Sequence, residues 1–451
     1  MILNTQSHNA TFFCCLCLAK TSTGYFNGRR HTYVALEQNL TIEPRTSAGF
    51  AALAYSASET LVPDHGIKGR CFFENLKNFD IINSNILDYM HGVCIGVFKS
   101  LLYLLFFYSS SPFTLSHSLK SLDKDLDDFK SSPSLINPLV KLNKFSFWKA
   151  KDFRNYLLYF SPFIQFYSDN MLLNSIISSL RRGIFLLLQE NQDSKIFTQV
   201  RNDFVSFLTG FSSIFGEHYC TPNFHDLIHL VDCVKMSGPL YEYSGFGFEH
   251  LNGRLEYFFK GNKNVGLEVS RKLFAYIENE NYLAYNSSTL VRNFLTSKNK
   301  KTWKKSHIVS DNSYICGKVK SSTLDYTRFI NSYFLKELPV KKSASRCIIN
   351  KNKISTSKYD IKKVFMHSIF VNTKEGYFFK ILDIIVIPNS PNYEVFFAIE
   401  EHSISKFDEG VFLLADTYIY KIVPKTVFCN SVTSCSLFRK YVVITPFKEL
   451  H

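Results

Sequence analysis

The sequence predicts a mixed, mainly α fold with a small β-rich domain at its C-terminal end. Three observations predict it. From residue 92 to about residue 235, apolar residues recur at i, i+3, i+4 and i+7 almost throughout. Beyond residue 311 the pattern changes to short β-branched and aromatic runs divided by Asn, Ser, Pro and Gly. Hydrophobic residues make up 46% of the 451-residue chain and charged residues 20%, a balance that belongs to two or three globular domains with sizeable cores and not to a disordered chain.

Charge and special residues narrow the function. The net charge of +14 sets up a field that favours polyanions, with nucleic acid as the first candidate and a membrane surface as the rival. Eleven cysteines, odd in number and scattered, do not form the regular framework of a small secreted fold, so the chain reads as one of a reducing compartment with mostly buried thiols. The opening Met-Ile-Leu-Asn-Thr-Gln-Ser-His has neither the basic nor the apolar region of a secretory signal. Val93 to Phe107 is apolar, but Lys99 interrupts it and a Ser/Pro stretch ends it short of the ~18–20 residues that a membrane span needs, so it reads as a buried core helix. Nucleotide-binding glycine loops and recognisable Ser or Cys nucleophile motifs are missing from the sequence, which leaves nucleotide-dependent and covalent hydrolytic chemistry without support.

Taken in order, residues 1–70 are rich in Asn, Thr, Ser and Gly and read as irregular, with a basic patch at Arg29-Arg30-His31. Cys14-x-x-Cys17 has the spacing of a metal knuckle, in which a tight turn brings two thiolates onto one ion; two half-buried thiols are the alternative. Residues 66–90 read as a loop, a short apolar segment and the entry to a long helix. There Asp88 and His91 share a helix face, where they can bind a divalent ion, form a buried pair, or leave Asp88 as a helix N-cap with its His partly exposed.

Helices are predicted over Gly92–Tyr108, Phe147–Tyr167, Met171–Gln189 and Lys195–Tyr219. Trp148, flanked by Lys149, Lys151 and Arg154, offers a ring to stack on an unpaired base and charges to grip phosphate; a core Trp beside a solvated basic face is the competing reading. Pro222 opens the next helix, and His225 and His229 lie one turn apart on it. Imidazoles at i and i+4 hold zinc with little strain, and together with Cys14 and Cys17 they complete a tetrahedral set of two cysteines and two histidines, against the plainer reading of a packed histidine pair.

Glu249 follows in Gly238 to Gly253, at the start of an aromatic-rich helix. Phe246 and Phe248 beside it predict a partly desolvated carboxylate that can hold a metal ion, against an ordinary N-terminal acid favoured by the helix dipole. Ser297 to Ser306 is a basic run holding Lys300, Lys301, Lys304 and Lys305, readable as a DNA-backbone contact, a nuclear import signal or a solvated linker. The segments Tyr377–Ile387, Tyr393–Ile399 and Tyr441–Thr445 then predict a small sheet or barrel without visible chemistry.

The ordered set Cys14-x-x-Cys17, Asp88-x-x-His91, Trp148-Lys149-Ala150 with Arg154, His225-x-x-x-His229, Gly238-Pro239-Leu240 and Phe248-Glu249-x-x-Asn252-Gly253 resembles the C-terminal two-thirds of a CACTA (En/Spm-like) DDE DNA transposase, over roughly the first 265 residues. The resemblance implies a partial RNase H-like core at 1–90, a large helical insertion at 91–237, the final catalytic helix region at 238–290, a basic linker at 291–310 and the β-rich domain at 311–451. Enzymes of this family cleave and transfer DNA strands with two Mg²⁺ ions about 4 Å apart, held by hard carboxylate oxygens. The resemblance makes Glu249 the last of these acids and Asp88 a candidate for another. The first Asp would lie upstream of Met1, so the expectation is a transposase-derived DNA-binding protein without activity alone. A host-adopted DNA- or protein-binding scaffold is the alternative. The Cys14, Cys17, His225, His229 set is similar to the zinc-bound subdomain of the V(D)J recombinase catalytic subunit and its transposon relatives, and implies structural Zn²⁺. By the same resemblance the partner is DNA at transposon ends, the assembly a homo-oligomer away from membranes and the location the nucleus. Trp148, Lys149, Arg154, Lys300, Lys301, Lys304 and Lys305 are the candidate DNA contacts.

Overall fold

The structure is a computed structural model that describes residues 3–41, 43–77, 79–109, 111, 113–130, 139–190, 192–255, 264–285 and 288–291, and segments between 305 and 444. The chain divides into two units, one of Met1–Asp127, Leu139–Phe246 and Phe447–His451, the other of Asp128–Pro138 and Gly247–Pro446. In secondary structure the first is mainly helical and the second carries the long strands.

The first seventy residues are more regular than their composition suggests. Strands β1 (Ser22–Phe26) and β2 (Arg29–Tyr33) pair antiparallel, in register from Ser22 opposite Tyr33 to Phe26 opposite Arg29. Asn27 and Gly28 between them both take positive φ, the requirement of a two-residue hairpin turn. Helix α1 (Leu36–Leu40) follows, then α2 (Ser47–Thr60), whose Thr46 cap accepts from the Gly49 amide at 3.0 Å. Its five alanines favour the helix, while its serines and glycine leave α2 weakly patterned; Phe50 and Ala54 bury against Ile67, Cys71, Ile81 and Ile82. Within residues 3–90 the strands described are this one hairpin. The sheet of an RNase H-like core is not among them.

From residue 90 the periodic stretches are mostly helical, but the single helix expected over Phe147–Tyr167 is broken: Trp148 and Lys149 are extended, and the helical pieces after them change from α to π to 3₁₀. Met90–Phe98 winds as a π-helix straight into α3 (Lys99–Phe106), and its Val93, Cys94, Val97 and Phe98 are buried with Leu101, Leu102, Leu104 and Leu105. The apolar run is therefore core, and no helix among the described residues is long and apolar enough to cross a membrane. Helix α4 (Leu119–Asp128) leads to a 3₁₀ turn at Leu142–Phe147, then α5 (Ala150–Asn155), a π segment at Tyr156–Phe160 and a 3₁₀ segment at Ser161–Tyr167.

Helices α6 (Met171–Leu187) and α7 (Ser194–Phe215) pack on each other, each opened by a side-chain cap: Asn170 accepts from Leu173 N at 2.9 Å and Asp193 from Ile196 N at 2.8 Å. The pair is cross-linked by Arg182 and Asp203. Helix α8 (Pro222–Ser237) begins with proline in its first turn and lies against both α7 and the π-helix; its Phe224 ring is 4.5 Å from Phe211 and stacks on Phe207. Gly238, at φ +83°, ends α8 in a conformation that a side chain would strain, and α9 (Gly245–Leu255) starts after the turn Leu240–Tyr243. The division between the units falls inside α9. Helix α10 (Val265–Tyr285) belongs to the second unit.

The second unit is β-rich beyond residue 305. Phe378–Asn389, Asn392–Asp408 and Val411–Pro424 form an antiparallel meander, extended by Lys440–Ile444. Lys305–Ser310, Ser313–Cys316, Arg346–Ile349 and Asn352–Ser355 make a second antiparallel sheet. The last residues of the stretch expected as a basic linker, Lys305–Ser310, form a strand. Lys300, Lys301 and Lys304 lie outside the described residues.

Candidate metal centre

Cys14, Cys17, His225 and His229 converge, although more than 200 residues separate the cysteines from the histidines (|i−j| of 208 and 215). All four are buried, and one donor atom from each lies within 4.8 Å of the others. Cys17 Sγ is 3.1 Å from His225 Nε2, Cys14 Sγ is 3.5 Å from His229 Nε2, and the two Nε2 atoms are 3.0 Å apart. A tetrahedron with Zn–S near 2.3 Å and Zn–N near 2.0 Å has edges of roughly 3.3–3.8 Å. The spacings of 3.0, 3.1 and 3.5 Å are at or slightly under that range, and the remaining ones stay within 4.8 Å. The set is compatible with a structural zinc site.

Local folding explains how each donor is aimed. The knuckle turns so that the amides of Leu16 and Ala19 donate to Cys14 Sγ and Cys17 Sγ at 3.3 and 3.4 Å, which stabilises charge on sulfur. On the opposite side, helical spacing puts His225 and His229 on one buried face of α8. His225 Nδ1 lies 3.0 Å from Asn39 Oδ1, while Asn39 Nδ2 points to the carbonyls of Val34 and Ala35 at 3.4 Å. That arrangement makes Nδ1 the protonated nitrogen and leaves the Nε2 lone pair facing the cysteines, as a metal-bound imidazole requires. Arg45 supports the knuckle from behind: Nε donates to the carbonyls of both Cys14 and Cys17 at 3.0 Å, and a terminal nitrogen to His65 O at 2.7 Å. Neither Asn39 nor Arg45 belongs to any spacing motif, and sequence reasoning passed over both.

The electrostatics are those of ligands sharing one charge. The hydrogen bond between the thiols lowers Cys17 below the ordinary thiol range and, with burial, raises Cys14. Burial opposes charge on His229, but the Cys14 sulfur beside it wins and raises its pKa. All four tetrahedral positions come from the protein, so an ion here has no place for a reacting water. Its effect is to tie residues 14–17 to α8.

The other candidate residues are placed as follows. Asp88 acts as a cap: its carboxylate accepts from Met90 N at 3.1 Å and His91 N at 3.3 Å, and His91 Nδ1 is 2.6 Å from Oδ2 with its side chain 58% exposed. The same carboxylate accepts from Gly245 N at 2.8 Å, so one anion sits at the start of both the π-helix and α9. A Cβ at Gly245 would stand 2.5 Å from Asp88 Oδ2, closer than real Cβ contacts come, so a side chain here would force a shift. A pocket of about 200 Å³ beside it is lined by Asp88, His91, Asn223 and Asp226, and burial raises the Asp226 carboxyl above the usual carboxylate range.

Glu249 lies in the part of α9 assigned to the second unit and is exposed, as is Phe248 at 67%. The partly desolvated setting expected from its aromatic neighbours is not found: Glu249 is exposed, and so is Phe248. Trp148 also departs from the DNA-contact expectation. The indole is 8% exposed, donates to Lys141 O at 3.1 Å and packs against Phe145, Phe153 and Tyr156, so it is a core side chain and not a base-stacking surface. Lys149 is exposed, and its backbone amide is capped by Asp152 at 2.8 Å. Arg154 lays its guanidinium over the Phe246 ring at 4.8 Å and bonds Asn155 Oδ1 at 3.2 Å.

No protein-family model matches the chain, and no curated protein or solved structure matches it.

Proposed function

We propose that this chain is a transposase-derived DNA-binding protein whose fold is held together by a structural zinc ion. The observation that carries the reading is the convergence of the Cys14-x-x-Cys17 knuckle on the His225/His229 face of α8. Those four residues belong to the ordered set that resembles CACTA transposases, and that resemblance implies one shared ion. The net charge of +14 agrees with a polyanionic partner and with a nuclear location. Within this reading Asp88 and Glu249 are the acids for catalytic Mg²⁺ in a cut-and-paste relative, and the RNase H-like core and homo-oligomeric assembly on transposon ends belong to the same proposal.

The test is DNA binding by the purified full chain with and without the zinc ligands. Fluorescence anisotropy against labelled duplex is expected to show binding at about 50 mM salt that weakens linearly in log Kd against log salt as counterions are released. The Cys17→Ser variant should lose that binding along with its zinc. No binding by the wild type at low salt would overturn the reading, as would undiminished binding by a zinc-free variant.

A further inference from the structure

We propose that the turn Leu142–Phe147 together with Lys149 is a nucleic-acid contact that takes a DNA strand with an unpaired base, Phe147 stacking on the base and Lys144 and Lys149 meeting the flanking phosphates. The proposal rests on the DNA-binding reading above and replaces Trp148 by its neighbour. Phe147 is 83% exposed, whereas the indole beside it is buried. An exposed ring of this kind is ordinary when it stands alone, so its surroundings decide the matter.

The turn is rigid. Asp123, itself buried, accepts from the amides of Leu142 at 2.6 Å and Asn143 at 3.1 Å, fixing the turn's entry. Trp148 fixes its exit: the backbone amide donates to Phe145 O and the indole to Lys141 O, both at 3.1 Å. Behind the turn Phe145 stacks on Phe107 at 4.7 Å and meets Phe153 edge-on at 5.4 Å. The Phe147 ring is therefore held out by a fixed frame, and little ordering remains to be done on binding.

The charge around it is uncompensated. Lys144 and Lys149 are exposed, and neither forms an ion pair among the described residues. Asp123, which reaches the turn from 19 residues upstream, and Asp152, three residues after Lys149, both spend carboxylate oxygens on backbone amides. Phe72 and Phe248, comparably exposed elsewhere, have Glu74 and Glu249 close by in sequence and lack this setting. A projecting ring between unpaired cations fits single-stranded or locally opened DNA, because every base offers a π-face and every nucleotide a phosphate. Closed duplex hides the first and offers only the second.

The experiment uses the full chain with a single-stranded oligonucleotide carrying one 2-aminopurine, and the fully paired duplex of the same sequence. The wild type is expected to prefer the single strand and to change the 2-aminopurine fluorescence. Phe147→Ala should weaken single-strand binding by about 5- to 150-fold with little effect on duplex, Phe147→Trp should restore it, and Lys144→Gln with Lys149→Gln should lower the salt slope by about 1.4. If the wild type binds and Phe147→Ala matches it in affinity and fluorescence, the proposal falls while the DNA-binding reading stands. If the wild type binds neither probe, the reading itself fails and takes the proposal with it.

Discussion

Replacing Asn39 by leucine should weaken zinc binding without touching a ligand. Asn39 is 1% exposed, and its Oδ1 is 3.0 Å from His225 Nδ1. Leucine is close in size but accepts nothing, so the substitution strands a buried imidazole N–H. A buried donor left without a partner costs about 1–3 kcal/mol, and at about 1.4 kcal/mol per factor of ten this becomes roughly 5- to 150-fold in affinity. Outer-shell partners of metal-bound histidines fall in the same range, about 10- to 100-fold. The assay is competition for zinc against a chromophoric chelator, with Asn39→Asp as the control: it keeps the acceptor for His225 Nδ1 but turns an oxygen toward the Val34 and Ala35 carbonyls, so it should bind more tightly than Asn39→Leu without needing to match the wild type. Equal affinity for Asn39→Leu and wild type would refute the reasoning, since it would mean that His225 is not aimed through Nδ1.

Two further predictions rest on other contacts. Gly245→Ala would place a Cβ 2.5 Å from Asp88 Oδ2, and the enforced shift should destabilise the chain by about 1–3 kcal/mol in denaturant unfolding; an unchanged midpoint would mean that Asp88 does not hold the start of α9. His218 stacks on Phe26 at 4.1 Å beside His31 at 5.3 Å, and burial, then the charge of His31, lowers its pKa from the ordinary 6.5. The unfolded chain therefore takes up this proton first as the pH falls, so stability present above about pH 6.5 declines below it. His218→Gln should flatten that limb of the melting temperature against pH, and an equally steep limb in the variant would contradict the assignment.

What was legible in the sequence was chemistry written in short spacings. Two cysteines three apart and two histidines four apart each announce a common direction, one through a tight turn and the other through the helical repeat, so the four ligands were readable before any fold was known. Asn39 and Arg45 were not, because their contacts to His225 and the knuckle carbonyls are made across the fold and follow no local period. Most helices from residue 90 to 237 were legible from apolar residues at helical spacing, even where, as at residues 183–187 and Tyr156–Phe160, the segment is buried on all sides; α4 was not. Helix α2 was missed because its alanines satisfy the helix without marking a face strongly, and the hairpin at Asn27-Gly28 was passed over in a stretch read as irregular. Phe147 and Trp148 show the limit most clearly. Of two adjacent aromatics one is exposed and the other buried, and the contacts that hold Trp148 in, its bond to Lys141 O and its packing on Phe145, Phe153 and Tyr156, follow no pattern visible in the sequence.

The most direct measurement is elemental analysis of the purified chain, wild type beside Cys17→Ser and His229→Ala. The account predicts one zinc per wild-type chain and its loss in both variants, since each removes one corner of the same tetrahedron from opposite ends of the sequence. No zinc in the wild type, or zinc retained in His229→Ala, would contradict it: the knuckle and α8 would then not share an ion, and the resemblance to a zinc-tied transposase would lose the observation that carries it.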